Sequence, residues 1–275
     1  MNQHPTISFI GAGNMARAII GGLLKNGYPA DHIWAAAPNA DKLADLKAQG
    51  LKTTADSHAA VAASDIVILG VKPQVMRQVC TELSQTLSNR KPLLISLAAG
   101  VTISSMTRWI GTPIPTVRCM PNTPSLVQTG ASGLFANDLV SQLQREQTEQ
   151  ILGAVGITVW VSQESEIDAV TAVSGSGPAY YFLMMEAMID AGEALGLSRE
   201  TAKALALQTA AGAARMVQET GEEPAELRRR VTSPKGTTEQ AILSFQADGL
   251  DTMVLRALTA CRNRAIELAQ EMDKA

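Results

Sequence analysis

Short apolar runs punctuate the first half of the chain: ISFI (7–10), HIWAA (32–36), DIVILGV (65–71), PLLISLA (92–98), PTVRCM (115–120), SGLFA (132–136) and ITVWV (157–161). They have strand length and favour β-branched or aromatic residues. Helical patterns such as Ala16–Lys25 and Ala40–Gln49 fall between several of them. Strands alternating with helices predict a mostly parallel sheet covered on both faces, hence an α/β domain over residues 1–161. Beyond Val161 the strand runs stop. Helices are predicted at 165–174, 178–195, 199–219, 223–230, 237–247 and 251–272, with breaks such as Gly196, Pro224 and Gly249. The second domain, 162–275, is expected to be all-α.

The later helices are apolar over more than one face. PAYYFLMMEAMIDAGEAL and the Ala/Gly-rich TAKALALQTAAGAARMV must be buried on nearly all sides. A domain of this size has a limited core of its own. The helices are therefore expected to bury one another across a homodimer interface, the alternative being a compact monomeric bundle.

Composition narrows the class. With 46% hydrophobic and 18% charged residues the chain reads as an ordinary globular protein, and a net charge of −3 offers no basic surface for nucleic acid or membrane. The longest apolar stretch, PAYYFLMM, is too short to span a bilayer. Cys80, Cys119 and Cys261 are widely separated and odd in number, which suggests a reducing compartment and no metal site. The start MNQHPTISFIGAG lacks the charged and apolar regions of a secretory signal, so the cytoplasm is the expected location.

The first strand leads into Gly11-Ala12-Gly13-Asn14-Met15-Ala16 and then a helix. This is the GxGxxG/A dinucleotide fingerprint in its strand–turn–helix context, which makes the first domain Rossmann-like. Gly11 is expected to make the tight turn, Gly13 to clear room for the pyrophosphate and Ala16 to let helix pack on strand. The second strand ends Ala36-Ala37-Pro38-Asn39, without the acid that binds the ribose hydroxyls of NAD. Asn39 and Ser57 are candidate donors to a 2′-phosphate instead, so NADPH is favoured, with NADH still possible. Two further loops follow strand C-termini: Gly70-Val71-Lys72-Pro73 and Ala98-Ala99-Gly100, whose small residues let a cofactor lie against backbone. A third, Met120-Pro121-Asn122-Thr123-Pro124, is a candidate for placing Asn122 near the nicotinamide.

The stretch RRRVTSPKGTTEQAI (228–242) reads as a helix start, with Thr237 as N-cap and Gln240 reaching back in a capping box. Gly236 allows close backbone approach, and the first helical amides form a ready anion site. A simple capped helix explains the same residues. Acid–base chemistry has few candidates: His4, His32 and His58 all lie in the N-terminal region. A β-hydroxyacid dehydrogenase needs a Lys after its Gly-rich turn, yet Ser174-Gly175-Ser176-Gly177-Pro178-Ala179-Tyr180-Tyr181-Phe182 supplies none. An acceptor needing little base catalysis, such as an imine, fits better.

FIGAGNMA (9–16), AVSGSGPAYY (172–181) and VTSPKGTTEQAI (231–242), with VKPQ (71–74) and RCMPNTP (118–124), resemble the pyrroline-5-carboxylate reductase family in order and spacing over essentially the whole chain. The resemblance implies reduction of 1-pyrroline-5-carboxylate to L-proline by NAD(P)H, the last step of proline biosynthesis. It also implies a dimer interlocked through the helical domains, with dimers often gathered into a larger ring. Ser233, Gly236, Thr237 and the amides around them would hold the substrate carboxylate. Thr238 would direct its hydroxyl to the ring nitrogen as the catalytic residue, with Ser176 and Gly177 closing the other side of the pocket or capping the following helix. One departure stands out: Lys235 replaces the family's common Gly, so the turn is expected to tolerate a non-Gly residue, with the Lys facing solvent. Two alternatives stay open: a β-hydroxyacid dehydrogenase-like NADP-dependent oxidoreductase, and a non-enzymatic NADPH-sensing protein.

Overall fold

A computed structural model describes residues 4–274; Met1–Gln3 and Ala275, the extreme ends of the two expected domains, lie outside the described residues. Eight strands form one sheet: β1 (Ile7–Ile10), β2 (Ile33–Ala36), β3 (Lys52–Thr54), β4 (Ile66–Leu69), β5 (Leu93–Ser96), β6 (Thr116–Met120), β7 (Gly130–Ala136) and β8 (Gly156–Trp160). Helices α1 (Asn14–Lys25), α2 (Ala44–Ala48), α3 (Ser57–Ala62), α4 (Pro73–Glu82), α5 (Ser84–Arg90), α6 (Ile103–Ile110) and α7 (Gln142–Gly153) connect them. The remaining helices are α8 (Glu166–Val170), α9 (Gly177–Ala194), α10 (Arg199–Thr220), α11 (Pro224–Arg230), α12 (Thr237–Ala247) and α13 (Leu250–Lys274).

The strand order is β3-β2-β1-β4-β5-β6-β7-β8, so connections reverse direction between β1 and β4. That reversal leaves a crevice beyond the strand C-termini, the place where open α/β sheets bind ligands. Every pairing is parallel except β6 with β7. The exception has a simple cause. Only a short 3-10 turn, Thr123–Val127, joins those strands, and a parallel return needs a longer crossover.

Buried β1 and β4 carry apolar residues on both faces, matching two core clusters, one containing Phe9, Ile68 and Ile95, the other Val67, Leu69 and Leu94. Helix α1 buries Ala16, Ile19, Ile20 and Leu23, the spacing of one helical face. Cys80 and Cys119 are part of this interior, and burial pushes both thiols up to about 12. β3 has no counterpart among the predicted strands: it is three residues long, polar and at the sheet edge. The predicted helix 165–174 is α8 followed by a π-helical turn, Thr171–Gly175.

The chain divides into two compact units, one comprising the residues up to Ser176 together with those from Cys261 onward, the other Gly177–Ala260. In the second unit the buried apolar cluster among the described residues is Ile189, Ala202 and Ala206. Tyr181, Phe182, Leu183 and Leu255 are each more than 60% exposed. Such a unit has far more apolar side chain than it buries in a single copy.

Candidate functional site

Gly11 and Gly70 meet back to back at the sheet's reversal point. Gly11 has φ 89, and a Cβ there would lie 2.8 Å from Val71 Cγ1 and 3.0 Å from the Gly70 carbonyl. A Cβ on Gly70 would strike the Gly11 oxygen at 2.8 Å and Ala16 Cβ at 3.3 Å. Both glycines are thus demanded by the fold itself. Gly13 is different. Its backbone is extended, at φ −73 and ψ −179, and the nearest atom to an added Cβ is the Gly70 oxygen, 3.9 Å away. It caps α1 without a side-chain hydrogen bond, and the helix carries no acid in its first turn. Gly13 and Asn14 are exposed, Ala12 and Met15 half-buried, and Ala16 buried. An open, uncapped helix start with positive dipole and no competing carboxylate fits a dinucleotide pyrophosphate.

Around this start the other cofactor candidates are spread along the strand ends. Ala37 N donates to the Thr54 carbonyl at 3.2 Å, which brings the end of β2 beside the segment leading to Ser57. Asn39 Oδ1 accepts from Asp41 N, leaving its Nδ2 as a donor. Asp56 caps α3, accepting from the amides of His58 and Ala59. Lys72 is the exposed N-cap of α4 and Pro73 its first residue. Ala98 packs into the core, whereas Ala99 is exposed. Ala99, Gly100, Thr171, Ser176 and Cys261 border one cavity of about 260 Å³. Asn122 is braced on both sides, Nδ2 donating to the Ser174 carbonyl at 3.1 Å and Oδ1 accepting from Ala131 N at 2.9 Å.

Ser176 does not cap α9. It has helical dihedrals and closes the π turn, its N–H donating to Thr171 O at 2.8 Å. The turn widens because Thr171 and Ser174 direct their hydroxyls to the carbonyls of Ile167 and Val170, one turn back. Such turns recur at functional sites. Ser176 Oγ accepts from the Cys261 thiol at 3.3 Å, while Gly177 opens α9.

Ser233, Gly236, Thr237 and Thr238 form a separate group in the 177–260 unit. The expected capping box is corrected here: Gly236, at φ −84 and ψ 170, is the N-cap, and Thr237 is already the first helical residue. The Gly236 amide donates to the Ser233 carbonyl at 2.9 Å, which tightens the turn by one residue. An added Cβ on Gly236 would meet that same oxygen at 2.9 Å. The side chain that reaches back is Glu239, not Gln240; its Oε2 accepts from Lys235 N at 2.7 Å. No side chain caps α12, so its first amides are left without an acceptor among the described residues. Among the described residues, the hydroxyls of Ser233, Thr237 and Thr238 also carry no hydrogen bond.

Lys235 is exposed, but the expectation of a turn suited to a non-Gly residue is corrected here: its backbone is left-handed, at φ 60. Left-handed backbone costs a non-Gly residue roughly 1–2 kcal/mol, partly offset because glycine loses more entropy on folding. Lys235→Gly should therefore stabilise the protein by about 0.5–1 kcal/mol in urea melts at fixed protein concentration. A lower midpoint would contradict the strained-turn reading.

Sequence reasoning missed a buried charge cluster. Arg118, in β6, has a side chain 4% exposed and donates through Nη1 to Glu164 Oε1 at 3.3 Å. Its Nη2 lies 3.7 Å from Asp168 Oδ1. Burial holds the Asp168 carboxyl above its usual range, against the opposing pull of Arg118 and Arg262. A lone arginine inside an apolar strand was the available signal, since it must find acidic partners.

Comparison with known proteins identifies the family. Residues 164–268 match the pyrroline-5-carboxylate reductase dimerisation family, and residues 6–100 match the family described as NADP oxidoreductase coenzyme F420-dependent. A pyrroline-5-carboxylate reductase of Pseudomonas aeruginosa is 55% identical over 271 residues, 98% of this chain and 99% of that protein. The solved pyrroline-5-carboxylate reductase of Coxiella burnetii is 48% identical with a TM-score of 0.94, covering 97% of this chain and 99% of that one. The Plasmodium falciparum pyrroline carboxylate reductase, solved with NADP bound, is 29% identical with a TM-score of 0.83, covering 96% and 98% of the two chains. With its Rossmann-like first domain and its dimerisation domain, the chain belongs to the pyrroline-5-carboxylate reductase family.

Proposed function

We propose that the chain reduces 1-pyrroline-5-carboxylate to L-proline with NADPH, as a homodimer built through its helical domain, with dimers gathered into a larger ring in the cytoplasm. The observation that carries the site assignment is the uncapped start of α12. Orphan amides at 237–239 and the unpartnered hydroxyls of Ser233 and Thr238 suit a substrate carboxylate beside a ring nitrogen.

When bound, the reduced nicotinamide supplies hydride to the imine carbon. The residues of the chain do the rest. Gly11, Ala12, Gly13, Asn14 and Met15 hold the pyrophosphate at the start of α1. Val71, Lys72, Pro73, Ala98 and Ala99 line the nicotinamide side, and Ala37, Asn39 and Ser57 the adenosine side. Asn39 Nδ2 and the Ser57 hydroxyl favour a 2′-phosphate where an acid would repel it. Gly236 and Thr237 present backbone to the carboxylate, Thr238 orients the ring nitrogen and relays its proton from solvent, and Ser176 and Gly177 serve as further substrate-binding residues.

The test is an NADPH-oxidation assay with 1-pyrroline-5-carboxylate, run beside NADH and a β-hydroxyacid. Prompt oxidation with the imine, and a lower KM for NADPH, supports the reading; turnover confined to the hydroxyacid overturns it. Light scattering at low micromolar concentration should return at least two copies per particle. A monomer would refute the shared helical core. No helix among the described residues is long and apolar enough to cross a membrane.

A further inference from the structure

The Arg118 cluster is poorly explained by stability alone. Burying the Arg118 guanidinium against two half-buried acids carries a desolvation cost, and a well-packed apolar side chain commonly does as well. Arg118 Nε is buried without an acceptor, and Asp168 Oδ1 makes no hydrogen bond. What the cluster does achieve is connection. Glu164 Oε1 accepts the N–H of Ile103, the first residue of α6, at 2.8 Å while also receiving Arg118 Nη1. Asp168 belongs to α8, which runs directly into the π turn. Arg118 itself stands two residues before Met120 at the end of β6.

Each of these three segments ends at the same place. The loop before α6 carries Ala99 and Gly100, which share a cavity with Thr171 and Ser176. Past the end of β6, Asn122 Nδ2 donates to the Ser174 carbonyl. Met120 Cε lies 2.5 Å from where a Cβ on Gly175 would sit. A planar guanidinium can face two carboxylates at once, which an ammonium on a flexible stem does less well.

We propose that Arg118 is a positioning residue for imine reduction: by bridging Glu164 and Asp168, it fixes the spacing between the Ala98–Gly100 loop and the Ser176 turn. This rests on the reading of the chain as an imine reductase. Hydride transfer is sensitive to sub-ångström displacement of the surrounding walls, whereas pyrophosphate binding at α1 is not coupled to this cluster.

Arg118→Met and Arg118→Lys are expected to lower kcat about ten-fold while the NADPH Kd stays within about three-fold of wild type. Glu164→Gln keeps an oxygen for the Ile103 amide and should retain most of kcat; Glu164→Ala should fall with Arg118→Met. Wild-type kcat in Arg118→Met, whatever its melting temperature, overturns the proposal. If that variant does not fold, equal kcat values for Glu164→Gln and Glu164→Ala overturn it instead. Wild-type turnover of 1-pyrroline-5-carboxylate is measured first. Its absence would remove the functional reading, whereas its presence with an unaffected Arg118→Met removes only the role of Arg118.

Discussion

Gly13→Val is expected to abolish tight NADPH binding, by about 100-fold or more, while leaving the protein folded. The backbone of Gly13 lies in a region any residue adopts, and an added Cβ meets only the Gly70 oxygen, at an ordinary 3.9 Å. Its lack of a side chain is therefore unexplained by folding and explained by a ligand that approaches the backbone. Two valine methyls at that point would occupy the pyrophosphate position and obstruct the first amides of α1. A 100-fold loss corresponds to about 2.7 kcal/mol of binding. Losing a glycine N-cap should cost stability no more than about 1 kcal/mol. Gly11→Ala provides the opposite case. With φ 89 and three neighbours within 3.0 Å, its methyl strains the turn and should cost roughly 1–3 kcal/mol of stability. Fluorescence titration with NADPH and thermal melts separate the two effects. Wild-type affinity in Gly13→Val would mean that the pyrophosphate is held elsewhere.

The contrast between the two glycines also marks what the sequence could and could not reveal. GAGNMA announced both, because a fingerprint records spacing, and it gave Gly11 the tight turn and Gly13 the ligand; it did not show that Gly70 backs Gly11 so closely. Runs such as ISFI and LLIS were legible as strands since burial on both faces leaves them free of charge and apolar but for one small serine each. KTT at 52–54 was not, being a short edge strand whose membership depends on its neighbour β2. The π turn escaped for a similar reason: hydroxyls at 171 and 174 widen a helix only through where they bond. At 233–238 the chemistry of the turn was visible but its register was off by one. A Lys in left-handed backbone breaks the usual preference, and the helix starts two residues after it. Arg118 shows the largest gap. Its partners lie 46 and 50 positions away, so no local pattern joins them.

Thr238→Ala should lower turnover by about 10–100-fold, on the order of one charge-assisted hydrogen bond, or about 1.4–2.7 kcal/mol. Thr238 is the second residue of α12, half-buried, with a hydroxyl that bonds nothing among the described residues. Helical Cα–Cβ bonds tilt toward the N-terminus, so this hydroxyl is offered at the same end as the orphan amides. On the proposed reading, those amides hold the carboxylate and the Thr238 hydroxyl faces the ring nitrogen. A hydroxyl is too weak an acid to protonate an imine unaided, so its contribution is orientation and relay, strongest as the nitrogen gains charge. An interaction of that kind lowers kcat with little change in KM, and NADPH affinity should stay unchanged because the residues proposed for the cofactor belong to the other unit. Thr238→Ser restores the hydroxyl and should recover most of the rate. Steady-state kinetics at saturating NADPH decide the point: an unchanged kcat in Thr238→Ala takes the residue out of the mechanism, and a rise in KM alone would reassign it to carboxylate binding.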